Sequence, residues 1–172
     1  MSIEVSVQLG DEHPPGRDPR PHFALARRAA ERTLRSAGSL DAFLSVTFLG
    51  DAAIAELNET HLGHAGPTDV LSFRLEGPCG ELAGDVYVGH EFAARTAAEE
   101  GLPWEEELVR LSVHGVLHVL GHDHPAGPER ERCDMWRLQE DLVAQVMREA
   151  AGPPAEGRGG RSGAAGPAGR AS

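Results

Sequence analysis

The chain has 172 residues, 40% of them hydrophobic, and a formal net charge of −11 from 16 basic and 27 acidic residues. That length and apolar content suffice for one core of ordinary size. The acidic balance argues against adhesion to nucleic acid through the overall field, leaving a local basic patch or a bound cation to attract a phosphate. Every basic residue is Arg, and no stretch approaches the roughly 20 apolar residues a membrane span needs. The N-terminus "MSIEVSVQLGDE" lacks a basic start followed by a long apolar run. Cys79 and Cys133 are too few for a disulfide framework, so a cytoplasmic protein with free thiols is expected and no membrane partner.

In chain order, "IEVSVQL" (3–9) alternates apolar and polar residues as a half-buried strand does, and the prolines and charges that follow mark a loop. "HFALARRAAERTLRSAG" reads as a helix with Phe23, Leu25, Ala29 and Leu34 on its apolar side. "AFLSVTFLG" (42–50) is a second strand, and Asp51 is placed to cap the helix "AAIAELNETHL". "VLSFRL" (70–75) is a third strand, with Ser72 and Arg74 on one face and Leu71, Phe73 and Leu75 on the other. "LAGDVYVG" (82–89) is a fourth.

From residue 90 the pattern turns helical: "EFAARTAAEEG", "PWEEELVRLSVHGVLHVLG" and "PERERCDMWRLQEDLVAQVMREA" each read as one helix, with Pro103 at the start of the second and Gly121 at its end. The Gly, Ala, Pro and Arg of residues 151–172 cannot bury a core, so a disordered tail is expected after a single domain over 1–150. The order βαβαββααα predicts the α+β class: a small mixed four-stranded sheet packed with about five helices.

One stretch concentrates chemistry. "VHGVLHVLGHDH" (113–124) holds His114, His118, His122 and His124. Residues four apart on a helix are rotated by about 40° and rise about 6 Å, so His114 and His118 project side by side. Gly121 can adopt the left-handed conformation that ends a helix, which returns His124 to the same point. Three imidazoles with an open fourth position are the ligand set of a catalytic zinc, one ion per chain. His122 is expected to be exposed or to support a ligand, and Asp123 to orient one. His13, His22, His61, His64 and His90 are expected to be exposed. The spacing H-x-x-x-H-x-x-G-x-x-H matches the metzincin proteases, but Gly115 stands where their catalytic Glu belongs.

The same stretch is similar to the signature His-Gly-x-Leu-His-Leu-x-Gly-Tyr-Asp-His of the YbeY family of bacterial endoribonucleases and rRNA maturation factors. "ELNETHLGHAGPTDVLSF" (56–73) resembles the family's Leu-Asn segment and its Thr-Asp-Val-Leu-Ser-Phe block, "LAGDVYV" its Gly-Asp strand, and "MWRLQEDLV" (135–143) its closing helix. The resemblance covers roughly residues 40–147. It implies zinc on His114, His118 and His124. It also implies cleavage of single-stranded RNA, with small-subunit rRNA precursor as substrate and the ribosomal small subunit and its proteins as partners. The family's usual Arg after the Leu-Asn pair is Leu62 in this chain, and its Tyr is His122. Arg74, on the strand face it shares with Ser72, is a candidate substitute cation for a phosphate, its ordinary reading being a solvated strand residue.

Without a Glu beside His114, the general base is Asp85 or Asp123, or the substrate's own 2′-hydroxyl attacks. Asp85 also reads as a turn or strand-start residue, and Thr68 and Asp69 as shaping the turn into the third strand. Three functions stay open: a zinc-dependent endoribonuclease, a non-catalytic zinc-containing ribosome assembly factor, and a metallopeptidase.

Overall fold

A computed structural model describes residues 2–11 and 16–152. The elements are β1 (Ile3–Leu9), α1 (Phe23–Ser36), β2 (Ala42–Leu49), α2 (Asp51–Leu62), β3 (Val70–Glu76), β4 (Leu82–Gly89), α3 (His90–Glu100), α4 (Trp104–Val119) and α5 (Asp134–Ala151), with 3-10 turns at Arg20–His22 and Gly127–Arg132. His13 and residues 153–172, which hold nearly all of the expected tail, lie outside the described residues.

The four strands form one mixed sheet in the order β1-β2-β4-β3. β1 pairs with β2 and β2 with β4 in parallel, and β3 closes an antiparallel hairpin with β4. This is the α+β arrangement the element order predicts. α1 supplies the crossover that a parallel β1–β2 pair requires, whereas β3 and β4 need only the short connection of residues 77–81.

One face of the sheet carries the main core: Val5, Leu44, Val46, Phe48, Val86 and Val88 pack against Ala26, Ala30 and Leu34 of α1 and Leu108, Leu111, Val116 and Val119 of α4. The other face holds a smaller cluster in which Leu49, Leu71, Phe73 and Tyr87 meet Ile54 and Leu57 of α2. Leu71 and Phe73 thus lie opposite Ser72 and Arg74, as alternation along β3 predicts. α5 covers the outer side of α4, where Met135, Leu142, Val143 and Val146 pack on Val109, Val113 and Leu117. α4 is therefore apolar nearly all round because it lies between the sheet and another helix.

α4 passes so close to the sheet at Gly115 that a Cβ there would overlap Val86 Cγ1 and press on Val70 Cγ2 at 3.0 Å and Ser72 Oγ at 3.1 Å. A glycine is needed at this crossing, which gives a packing reason for the missing Glu. No side chain fits beside His114 without moving the helix off the sheet.

Three expectations are corrected. Asp51 is the first residue of α2 rather than its cap, which is Gly50; its carboxylate instead takes Arg95 at 2.6 Å. His90 is fully buried rather than exposed, because α3 begins directly at the end of β4 and Trp104 packs over it, donating Nε1–H to the His90 carbonyl at 3.2 Å. The expected helix from residue 128 is broken: residues 127–132 form a 3-10 turn, Cys133 is extended, and α5 starts at Asp134. Pro128 opens that turn, and Cys133 closes it by donating its Sγ–H to the Arg130 carbonyl at 2.9 Å.

Candidate metal centre

α4 ends in the turn the sequence predicts. Gly121 has φ +96°, its amide donates to the His118 carbonyl at 2.9 Å, and the His122 amide donates to the Leu117 carbonyl at 3.0 Å. This satisfies helix-terminal carbonyls and reverses the chain. His124 thereby returns to His114 and His118, with ring centroids 4.6 Å apart for His114 and His118, 5.1 Å for His114 and His124, and 5.2 Å for His118 and His124. One nitrogen from each ring lies within 4.8 Å of the others.

The ring orientations are fixed from behind. His114 Nδ1 meets Gln139 Oε1 at 2.7 Å, His118 Nδ1 meets the His122 carbonyl at 3.0 Å, and His124 Nδ1 meets the Pro125 carbonyl at 3.0 Å. Each partner is an acceptor, so each Nδ1 carries the proton and donates it. Every Nε2 is left with a free lone pair in the neutral ring.

His114 Nε2 and His118 Nε2 stand 3.0 Å apart. Two lone pairs at that distance repel unless a cation lies between them. This donor set, with an oxygen behind each imidazole, fits a divalent metal that favours nitrogen ligands.

Electrostatics point the same way. Burial pushes the His114 pKa down to about 4, with the neighbouring His118 and Arg130 adding to the shift. Burial, then the charge of His124, lowers that of His118. Both rings are neutral near pH 7, which is the form that binds metal.

The support of His114 extends outward. Gln139 Nε2 donates to Glu140 Oε1 at 3.0 Å, which fixes the amide so that Oε1 faces His114. Glu140 is in turn held by Arg110, with Nε at 2.9 Å, and Arg110 also binds Glu106 and Glu107 at 2.8 and 2.7 Å. Burial alone would raise the Glu140 carboxyl, but the bonds from Arg110 and Gln139 outweigh it and hold its pKa low.

The other candidate residues have different places. Asp85 follows on β4 directly before Val86, which faces α4, so the carboxylate lies on the opposite face of the sheet, where Ser45 Oγ donates to it at 2.5 Å. Arg74 reaches the end of α4 and donates to the Val119 carbonyl at 3.1 Å. Asp123 lies beside the histidines, and its Oδ1 accepts from the His124 amide at 2.8 Å, shaping the turn rather than holding a ring. The His122 side chain is exposed, while its carbonyl supports His118. Asp69 accepts from the Val70 amide at 2.8 Å and from Thr68 Oγ1 at 3.1 Å, closing the turn into β3. Leu62 ends α2 with half its surface exposed and supplies no cation.

The sequence reading missed Gln139 and Arg130. Gln139 has a legible signal: it is the one polar residue on the stripe Met135, Gln139, Leu142, Val143 and Val146 that α5 buries. Arg130 Nη2 lies 3.3 Å from His114 Nε2. No periodicity marks it, because it sits in the 3-10 turn rather than on a helix face.

The family model described as Endoribonuclease YbeY matches residues 22–147. This chain belongs to the YbeY family. Among curated YbeY proteins, each named Endoribonuclease YbeY, that of Symbiobacterium thermophilum is 43% identical over 134 residues, covering 71% of this chain and 85% of its own. That of Micrococcus luteus is 36% identical over 162 residues, covering 90% of this chain and 98% of its own. The solution structure of TM1509 from Thermotoga maritima is similar in fold, with a TM-score of 0.59 at 25% identity, covering 92% of this chain and 99% of that one. The YbeY match includes all three clustered histidines and the β3–β4 hairpin.

Proposed function

We propose that this protein is a zinc-dependent endoribonuclease that cuts single-stranded RNA during small-subunit rRNA maturation and ribosome quality control. The observation that carries the reading is the set of three imidazoles, each with Nδ1 held by an oxygen and Nε2 unprotonated, in a chain of the YbeY family. In this reading residues 1–150 work as one zinc-binding unit in the cytoplasm, and ribosomal small-subunit proteins are its partners.

His114, His118 and His124 would hold one zinc ion. When bound, zinc supplies Lewis acidity, polarising an oxygen of water or of the phosphodiester. The chain's own contribution is orientation: Gln139 and the carbonyls of His122 and Pro125 fix the ligand tautomers before substrate arrives. Asp123, an exposed carboxylate whose charge favours protonation of His118, takes the proton from the attacking group. Arg74 secures the end of α4 behind His118.

The assembly-factor reading rests on Leu62 alone and predicts binding to ribosomal particles without cleavage. The metallopeptidase reading is opposed by the packing of Gly115, which leaves no room for the Glu that such chemistry uses.

The test is incubation of end-labelled unstructured RNA with zinc-loaded and chelator-stripped protein, followed by analysis of the product ends. Zinc-dependent internal cuts are expected. A 2′,3′-cyclic phosphate identifies attack by the 2′-hydroxyl, and a linear phosphate identifies attack by water. Intact RNA under both conditions overturns the nuclease reading.

A further inference from the structure

An acidic protein that handles RNA needs a local cation for phosphate, and the arginines near the histidines differ in whether they are free to serve. Arg110 is held by three glutamates. Arg74 donates to the end of α4. Arg130 has no carboxylate partner among the described residues. Its Nε is buried without an acceptor, its Cζ lies 6.0 Å from the Trp136 ring centroid, and its Nη2 faces His114 Nε2. A buried N–H without an acceptor is costly to leave in place.

The contact with His114 is also temporary by its chemistry. Arg130 points a donor at the very lone pair that a metal ligand must give to the metal. When the histidines hold a cation, the guanidinium loses that acceptor and stands beside a second positive charge in a half-enclosed cleft. The cleft has a volume of about 340 Å³ and is lined by Phe92, His114, Arg130, Trp136 and Gln139 among others. Four carboxylates line it: Glu107 is taken by Arg110 and Asp69 by the Val70 amide, while Glu100 and Glu131 are exposed at its rim and form no ion pair with Arg130. Two adjacent positive charges call for a bridging anion, and a guanidinium fork matches the oxygens of a phosphodiester.

We propose that Arg130 is the phosphate-binding residue of this centre, releasing His114 when metal is bound and taking an RNA phosphate in the cleft beside it. This rests on the endoribonuclease reading and gives the chain the cation that Leu62 does not supply. The break at Cys133, which folds residues 127–132 back toward α4, is what carries Arg130 there.

The experiment measures binding of a fluorescent 2′-O-methyl single-stranded oligonucleotide to zinc-loaded protein by anisotropy across a salt series. Arg130→Gln, Arg130→Lys and the control Arg132→Ala are compared with the parent, and zinc content and affinity are measured in parallel. Arg130→Gln is expected to weaken binding about tenfold and to flatten the salt dependence by about 0.7 in slope, the loss of one phosphate contact to a single strand. Arg130→Lys recovers the slope but only part of the affinity. Zinc affinity of Arg130→Gln equals or exceeds the parent's, because a competing donor is gone; a merely structural arginine would lower it on removal. Parental RNA binding with an unchanged slope in Arg130→Gln overturns the inference alone. A parent that neither binds nor cuts RNA overturns the nuclease reading and this inference with it.

Discussion

The decisive residues are those that hold the histidines still. His114 is only 3% exposed, and its Nδ1–H has one acceptor, Gln139 Oε1. Replacing Gln139 with Leu keeps the packing of α5 but leaves that N–H unsatisfied and the ring free to change tautomer. Zinc affinity is expected to fall about 10- to 100-fold, read by competition with a chromophoric chelator; an unchanged affinity would mean that Gln139 does not set the ring. Gly115 acts in the opposite sense, by taking up no space. Gly115→Ala is expected to cost about 1–3 kcal/mol of stability through overpacking against Val86 and Val70, measured by urea denaturation, and gains no peptidase activity. At this scale the sequence made the cluster of three histidines legible through helical spacing and a glycine turn, because both are local. It did not reveal Arg130, whose position depends on a break between two segments of similar helical propensity.

At the scale of elements, the strand and helix order was readable throughout from alternation and helical periodicity, since each of the nine principal elements has a buried side and an exposed one, or is buried nearly all round, as α4 is. What was not readable is how an element's end is buried by its neighbours. His90 opens α3 with both ring nitrogens lacking a hydrogen-bond partner, and burial holds its pKa below the usual value near 6.5. The native state therefore keeps it neutral. As pH falls below about 6.5 the unfolded chain takes up a proton that the native state does not, so this contribution to stability is full above that pH and lost on acidification. In metal-free protein His114, whose pKa lies at about 4, and His118 act in the same direction. The denaturation midpoint is expected to fall steadily between about pH 6.5 and pH 4, and His90→Leu to flatten that decline. A midpoint independent of pH over this range would contradict the burial of these rings.

At the scale of the molecule, the sheet positions the site without contributing a ligand to it. Two of the three histidines stand on the one helix that packs against the sheet, α1, α3 and α5, and the third follows on the turn that ends it. Asp85 shows why a motif residue can be right in sequence and distant in chemistry: alternation along β4 sends it to the face covered by α2, where it serves Ser45. The net charge of −11 leaves the whole-molecule field unfavourable to RNA, which is why the proposed RNA binding is placed in the cleft, with a metal ion and Arg130 as its cations. Among the described residues no helix is long and apolar enough to cross a membrane.

The most direct measurement pairs metal content with RNA cleavage in the parent and in His118→Ala. One zinc per parent chain and internal cleavage of a labelled single-stranded RNA are expected, with both lost together in the variant. A parent that binds one zinc and leaves the RNA intact, or a His118→Ala variant that loses its zinc and still cuts, would contradict the zinc-dependent endoribonuclease reading.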